Sequence, residues 1–304
     1  MNLFSRLSLL TLGLVLLSPL GAQSAPPLRF GLLPAESAIP LIVAHEKGFF
    51  AAQGVAVELT MFQSPLDRNI VLQTGKSDGA IGDVMTVLAF KEAGLAVTAA
   101  SDINEDFKLL ASPGAGITTL AQLDGKDVSV VPNFALEYIM DRIAQKAGIT
   151  YKLVNIPSIP ARFEALMANR LTGVVFTEPQ ATVLVARGAK LLGGSQESGL
   201  KAGVLLFTDK VLAEQPSAVQ AFYRAYNQAV AFINSTPASS YAATLVKYGF
   251  PEAITAYLGS GVRYKNAAAV TPAMFEDIAA WCRSKGTVKK AWTLAEVATD
   301  RFLP

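Results

Sequence analysis

Apolar and polar positions along residues 28–207 alternate between two rhythms. LRFGLLP (28–34) is a short apolar run of buried-strand length, IPLIVAHEKGFFAAQG (39–54) repeats its apolar residues at helical spacing and stops at a glycine, and VAVELTMF (55–62) alternates with period two. The unit repeats as PLDRNIVLQTG (helix), SDGAIGD (short strand), VMTVLAFKEAG (helix) and LAVTAASDI (strand). From about Thr118 it starts again: TTLAQLDG, KDVSVVPN, FALEYIMDRIAQKAG, TYKLVNIP, SIPARFEALMANRL, TGVVFTEP and QATVLVARG read helix, strand, helix, strand, helix, strand, helix. Strands alternating with helices predict parallel β-α-β units and an α/β fold. The second set calls for its own sheet, so two lobes are expected: 25–112 and 113–198, joined by crossings near 111–117 and 194–202. GVLLF, near 203–207, returns to the first lobe, and 199–304 completes it with a mainly helical tail. Tyr223, Tyr226, Tyr241, Tyr248 and Trp281 in that tail sit at spacings that suit packing, so the tail reads as scaffold.

The first 24 residues follow a different rule. Arg6 precedes an apolar run from Leu7 to Leu17, a breaker at Pro19 and small residues at Ala22 and Ser24, the pattern of a signal peptide whose run is too short to span a bilayer. Pro26 opposes cleavage after Ala25, which puts the cut after Ser24. Of 26 Lys+Arg, one leaves with the signal, so 25 face 24 Asp+Glu. That balance argues against nucleic acid and against an electrostatic grip on a membrane. Cys282 is the only cysteine, so neither an intramolecular disulfide nor a lipid-attachment cysteine near the cut is available. A freely diffusing monomer in the periplasm fits these features.

IPLIVAHEKGFFAAQGVAVEL followed by LQTGKSDGAIGD resembles the solute-binding proteins of ABC importers that handle nitrate, taurine and other sulfonates, and pyrimidine precursors of thiamine. LDGKDVSVVPN, NIPSIPARFEALMANRLTGVVFTEPQATV and ARGAKLL match the second lobe of that family in order, so the resemblance covers most of residues 28–207. It implies a two-lobed, flytrap-like periplasmic-binding-protein fold with a ligand cleft between the lobes and a helical C-terminal segment. It also implies a small-molecule ligand and a partner permease in the inner membrane. The eukaryotic pyrimidine-synthesising enzymes of this fold need a cysteine-rich segment and histidines for iron, whereas this chain has one Cys and one His. On that ground the chain is read as a binding protein and not an enzyme; the alternative is a secreted or periplasmic enzyme of the same fold acting on a small aromatic precursor.

The motifs agree with that reading by what they lack. GKSDGAIGD (75–83) has neither the alternating acids and closing Glu of a calcium loop nor the Gly-Lys-Ser/Thr of a phosphate loop. His45 stands alone in HEKGF, no GxSxG occurs, and PGAGITT lacks the third glycine of a dinucleotide site, so no metal and no cofactor is expected. In GKSDGAIGD, Gly79 and Ala80 keep a strand thin, Gly82 lets the chain turn, and Asp83 begins a helix, either as a cap alone or as a cap that also meets ligand.

Ligands in open α/β sheets lie beyond the carboxyl ends of the strands. Those ends supply Glu36, Ser37, Asp83 and Asp102 in the first lobe and Asn133, Phe134, Arg162, Phe176 and Glu178 in the second, with Phe176 equally suited to the core. Four carboxylates against one cation, Arg162, predict poor binding of a simple anion such as nitrate. The two ligand classes that fit are a flat aminopyrimidine against Phe134, or a taurine-like sulfonate with its ammonium on Asp83 or Glu36 and its anion at a helix N-terminus.

Overall fold

The computed structural model describes residues 26–304. The expected signal peptide and its cut after Ser24 lie outside those residues. Counting helices of seven residues or more, the chain runs β1 (Leu28–Leu32), α1 (Ile39–Glu46), β2 (Val57–Met61), α2 (Pro65–Gln73), β3 (Gly79–Asp83), α3 (Val84–Glu92) and β4 (Val97–Asp102). It continues as β5 (Lys108–Ala111), β6 (Lys126–Ser129), α4 (Ala135–Ala147), β7 (Tyr151–Val154), α5 (Ile159–Met167), β8 (Gly173–Phe176), α6 (Gln180–Ala186) and β9 (Lys190–Gly194). β10 (Gly203–Thr208), α7 (Pro216–Ser235) and α8 (Pro272–Ser284) complete it. Local chemistry starts these helices where they start. α2 and α8 carry proline at their first position, after Ser64 and Thr271, whose hydroxyls accept from Leu66 N (3.1 Å) and Met274 N (3.2 Å).

Two sheets result, ordered β2-β1-β3-β10-β4 and β7-β6-β8-β5-β9. In the first, β1 is parallel to β2 and β3 while β10 runs antiparallel between β3 and β4; in the second, β6 is parallel to β7 and β8 while β5 runs antiparallel between β8 and β9. Each antiparallel strand is the one that follows a crossing. The first crossing therefore falls at 103–107 and not near 111–117, because KLLA already belongs to the second sheet. Its apolar run marks a strand, and nothing in the run itself says which sheet takes it.

The crossings are stapled to each other. Glu105, on the first, accepts from the amides of Ala202 (2.6 Å) and Gly203 (2.8 Å) at the end of the second. Gly203 is required there for space: a Cβ would lie 2.2 Å from Ile103 Cδ1 and 2.4 Å from Glu105 Oε2. The first lobe's core packs β1, α1 and α7 around Phe30, Phe207 and Phe222, and the second has a small core of its own around Leu166, Val174 and Phe176. Another core is shared. It runs from Val84 and Leu88 through Leu109, Val128 and Ile139 to Ile278 and Trp281 in the tail.

Gly203→Ala is expected to lower unfolding free energy by about 1–3 kcal/mol, the usual cost of forcing atoms into a packed site. Urea unfolding of parent and variant measures it.

Candidate ligand-binding cleft

The cleft between the lobes encloses about 710 Å³ of atom-free space, its mouth included, within the size range of small-molecule sites. It lies, as the parallel strands require, where β1, β3 and β8 end. Glu36, Ser37, Asp83, Phe134 and Arg162 all line it. Its apolar walls include Phe107, Val131 and Ile159.

Two guanidinium groups dominate its electrostatics, and the pattern of the sequence pointed to only one. Arg68 sits on the buried face of α2 with Leu72, four residues on, while Leu66 and Ile70 face out. Gly31 and Gly82 border it at ordinary contact distance: a Cβ on Gly31 would lie 3.4 Å from Arg68 Cγ and one on Gly82 3.9 Å from its Cζ. Gly82 lies within β3, where a Cβ would meet Leu206 Cδ2 at 2.5 Å, so it is a clearance for that side chain and not the turn the sequence suggested. Arg68 donates through Nη1 to Ile81 O (2.7 Å), and through Nε (3.0 Å) and Nη2 (2.7 Å) to Asn69 Oδ1. Arg162, on α5, donates through Nη1 to Ile156 O (2.9 Å), lies with its guanidinium carbon 4.7 Å from the Phe176 ring centre, and leaves its buried Nε without a partner. Neither arginine has a carboxylate at ion-pair distance among the described residues. Burial pulls both down to about 10, which leaves them charged at neutral pH.

The acids are arranged differently from the sequence inventory. Glu36 is buried, its Oε1 accepts from Asp106 N, and its Oε2 has no partner. Burial, with help from the Glu178 and Asp106 carboxylates, pushes its pKa well above the usual carboxylate range and favours the neutral acid. Glu105, which the sequence reading passed over, also lines the cleft, and burial raises it to about 7 against the pull of its two amides and Lys201. Asp83 caps α3 by accepting from Thr86 N (2.7 Å) and reaches across to Ala135 N (3.2 Å), the first residue of α4 in the other lobe.

Four expected residues do not line the cleft floor. Asp102 pairs with Lys201 and accepts from Ala268 N (3.1 Å), while Glu178 turns its carboxylate to Thr182 N (2.9 Å) and Oγ1 (2.8 Å). Asn133 is an exposed turn residue with φ of 65°, its N–H donated to Glu137 Oε2 (2.6 Å). Phe176 is fully buried beneath Arg162 and supports the cation in place of facing a ligand. Ser37 and Phe134 remain at the lining. Arg68 was legible only as a charge on the inward face of a helix, and the weak apolar stripe of PLDRNIVLQ hides which face that is.

The fold is shared with solved binding proteins. The alkanesulfonate-binding protein SsuA from Xanthomonas axonopodis pv. citri, bound to MOPS, aligns at a TM-score of 0.79 with 18% identity over 91% of this chain and 99% of its own. The periplasmic nitrate-binding protein NrtA from Synechocystis PCC 6803 aligns at 0.76 with 15% identity over 91% and 86%. At such identities the likeness is one of fold: a two-lobed periplasmic-binding-protein architecture. By sequence, a curated relative from Schizosaccharomyces pombe is 27% identical over 114 residues, covering 37% of this chain and 33% of the relative, and is named a 4-amino-5-hydroxymethyl-2-methylpyrimidine phosphate synthase. The chain spans about a third of the length of the curated relatives it matches. Their name corrects the reading of the chain as no enzyme: counting one Cys and one His set this sequence apart from enzymes that prove to be its detectable relatives. The model of the family described as NMT1/THI5 like matches residues 36–240, well over half the chain and both lobes, and the protein belongs to that family.

Proposed function

We propose that the protein is the substrate-binding component of an ABC importer, working in the periplasm as a monomer, and that it captures a small organic sulfonate of the taurine type for delivery to a permease in the inner membrane. The observation that carries this reading is the pair Arg68 and Arg162, two buried cations in one cleft with no carboxylate at ion-pair distance among the described residues, Arg162 with its Nε unpartnered. An isolated buried cation costs several kcal/mol, and an anionic ligand offsets that cost when it enters. A bidentate anion head suits guanidinium geometry. The unpartnered Oε2 of Glu36, a hydroxyl in the neutral acid, supplies a donor for an oxygen on the same ligand. The sulfonate- and nitrate-binding neighbours support an anion; the excess of acids that weighed against one in the sequence is taken up by backbone amides, by Lys201 and by protonation.

Calorimetry with taurine, a simple alkanesulfonate and an aminopyrimidine tests the ligand class. Arg162→Met should weaken sulfonate binding about ten- to hundred-fold, the loss of roughly 1.5–3 kcal/mol of charge-assisted hydrogen bonding. The melting temperature without ligand should stay level or rise, since an apolar side chain of similar length replaces a buried unpaired charge. Tighter binding of the aminopyrimidine, indifferent to this substitution, would sink the sulfonate reading.

Glu105 makes binding depend on pH. Its carboxyl, raised to about 7 by burial, gains charge as pH climbs from 6 to 8 and places a negative group in the lining of the cleft that also holds the arginines. Alkanesulfonate affinity should therefore fall several-fold across that interval, and binding near pH 7 should take up protons. Glu105→Gln should flatten the profile; the same slope in both proteins would assign the dependence elsewhere.

A further inference from the structure

α4 is 13 residues long and its N-cap, Phe134, offers no side-chain acceptor. The amide of Ala135 at its first turn borders the cleft and is met by a carboxylate from the opposite lobe, Asp83 Oδ2, while Oδ1 of the same group caps α3. A helix N-terminus attracts anions because its first amides lack intrahelical acceptors and the backbone dipoles sum to a partial positive charge there. Arg162, with its buried unpartnered Nε, opens on the same cleft, and Asp83 is near enough to Arg68 to favour the charged guanidinium.

We propose that Asp83 is a specificity-determining residue: a built-in anion that occupies the α4 N-terminus and so bars small inorganic oxyanions, leaving Arg68 and Arg162 to hold the charged head of a larger organic ligand. This rests on the reading of the cleft as an anion site, but it concerns a different contact. An inorganic oxyanion is small enough to need several converging donors at once, and the helix end would be one of them. With Asp83 in place that donor is already used and a negative charge stands at the spot, so nitrate or sulfate meets repulsion where it needs attraction. An organic sulfonate gains the rest of its binding from the apolar walls and can do without the helix end.

Asp83→Ser tests this directly. Serine caps helices about as well as aspartate, so α3 keeps its cap, while the shorter side chain withdraws both the charge and the reach to Ala135. Melting temperature is followed against nitrate and against sulfate, with chloride at equal ionic strength as the control. The parent is expected to show no saturable shift with either oxyanion, and Asp83→Ser a saturable one, corresponding to binding at least tenfold tighter than in the parent. Ala135→Pro in the Asp83→Ser background should cancel the gain, because proline is tolerated at the first helical position but has no N–H to give. Should Asp83→Ser fail to fold, Asp83→Asn takes its place, with the cap kept and the charge removed. Saturable oxyanion binding by the parent, no gain in the variant that folds, or a gain that survives Ala135→Pro would each overturn the proposal. If sulfonates fail to bind the parent while Asp83→Ser gains nitrate, the fault lies with the proposed ligand class and not with Asp83.

Discussion

Two guanidinium groups buried without a counter-ion set the terms for everything around them. Moving such a charge from water into a protein costs several kcal/mol even after relaxation. Here that cost is met in part by neutral acceptors: the Ile81 and Ile156 carbonyls, the Asn69 side chain and the face of Phe176. No carboxylate finishes the job, although several stand close by. Asp83 is held by two amides, Glu105 by two more, Glu178 by Thr182, and Glu36 is pushed toward its neutral form by burial. The fold keeps its acids occupied with backbone, and neither guanidinium is paired with one of them.

Much of the architecture was legible because periodicity reports directly on burial. The β-α alternation of 28–102 and 118–194 gave two sheets, since a strand buried on both faces and a helix with one apolar stripe leave different spacings. The destination of KLLA was not legible: pairing partners are long-range, and an apolar tetrapeptide fits the middle of either sheet. The site divides along the same line. Residues beyond strand ends, such as Glu36, Asp83 and Arg162, follow from topology, whereas the direction and partners of a side chain do not. Asp102 and Glu178 have the right positions and spend their charge on Lys201 and Thr182. Arg68 and Glu105 come from a helix face and a crossing, places that the strand-end rule does not search.

The helical tail was expected as scaffold, and it does carry packing tyrosines such as Tyr223, whose hydroxyl donates to Ser101 Oγ (3.1 Å). It also joins the lobes. Asp277 on α8 accepts from Tyr138 (2.5 Å) and pairs with Arg142 (2.6 Å), and Trp281 Nε1 donates to Asp141 (2.9 Å), all three partners lying on α4. The same helix packs on α3, so a continuous apolar core passes from the first lobe through the tail to the second.

That core and the cleft hold the lobes together by different means. Across the cleft the links are individual hydrogen bonds, among them Glu36 N to Glu178 O (2.8 Å), Ile159 N to Gln63 O (3.0 Å) and Gln180 Nε2 to Pro34 O, each contributing about 0.5–1.5 kcal/mol net because water replaces the partner when they open. On the α3–α8–α4 side, separation would expose buried apolar surface at about 25 cal/mol per Å², with no solvent bond to compensate. The cleft side is therefore the weaker of the two connections between the lobes. Asp83 lies where the two connections meet, opposite Gly203 in the first sheet and against the start of α4. A residue so placed is held by an amide of each lobe, which suits it to defining which anions the floor of the cleft accepts.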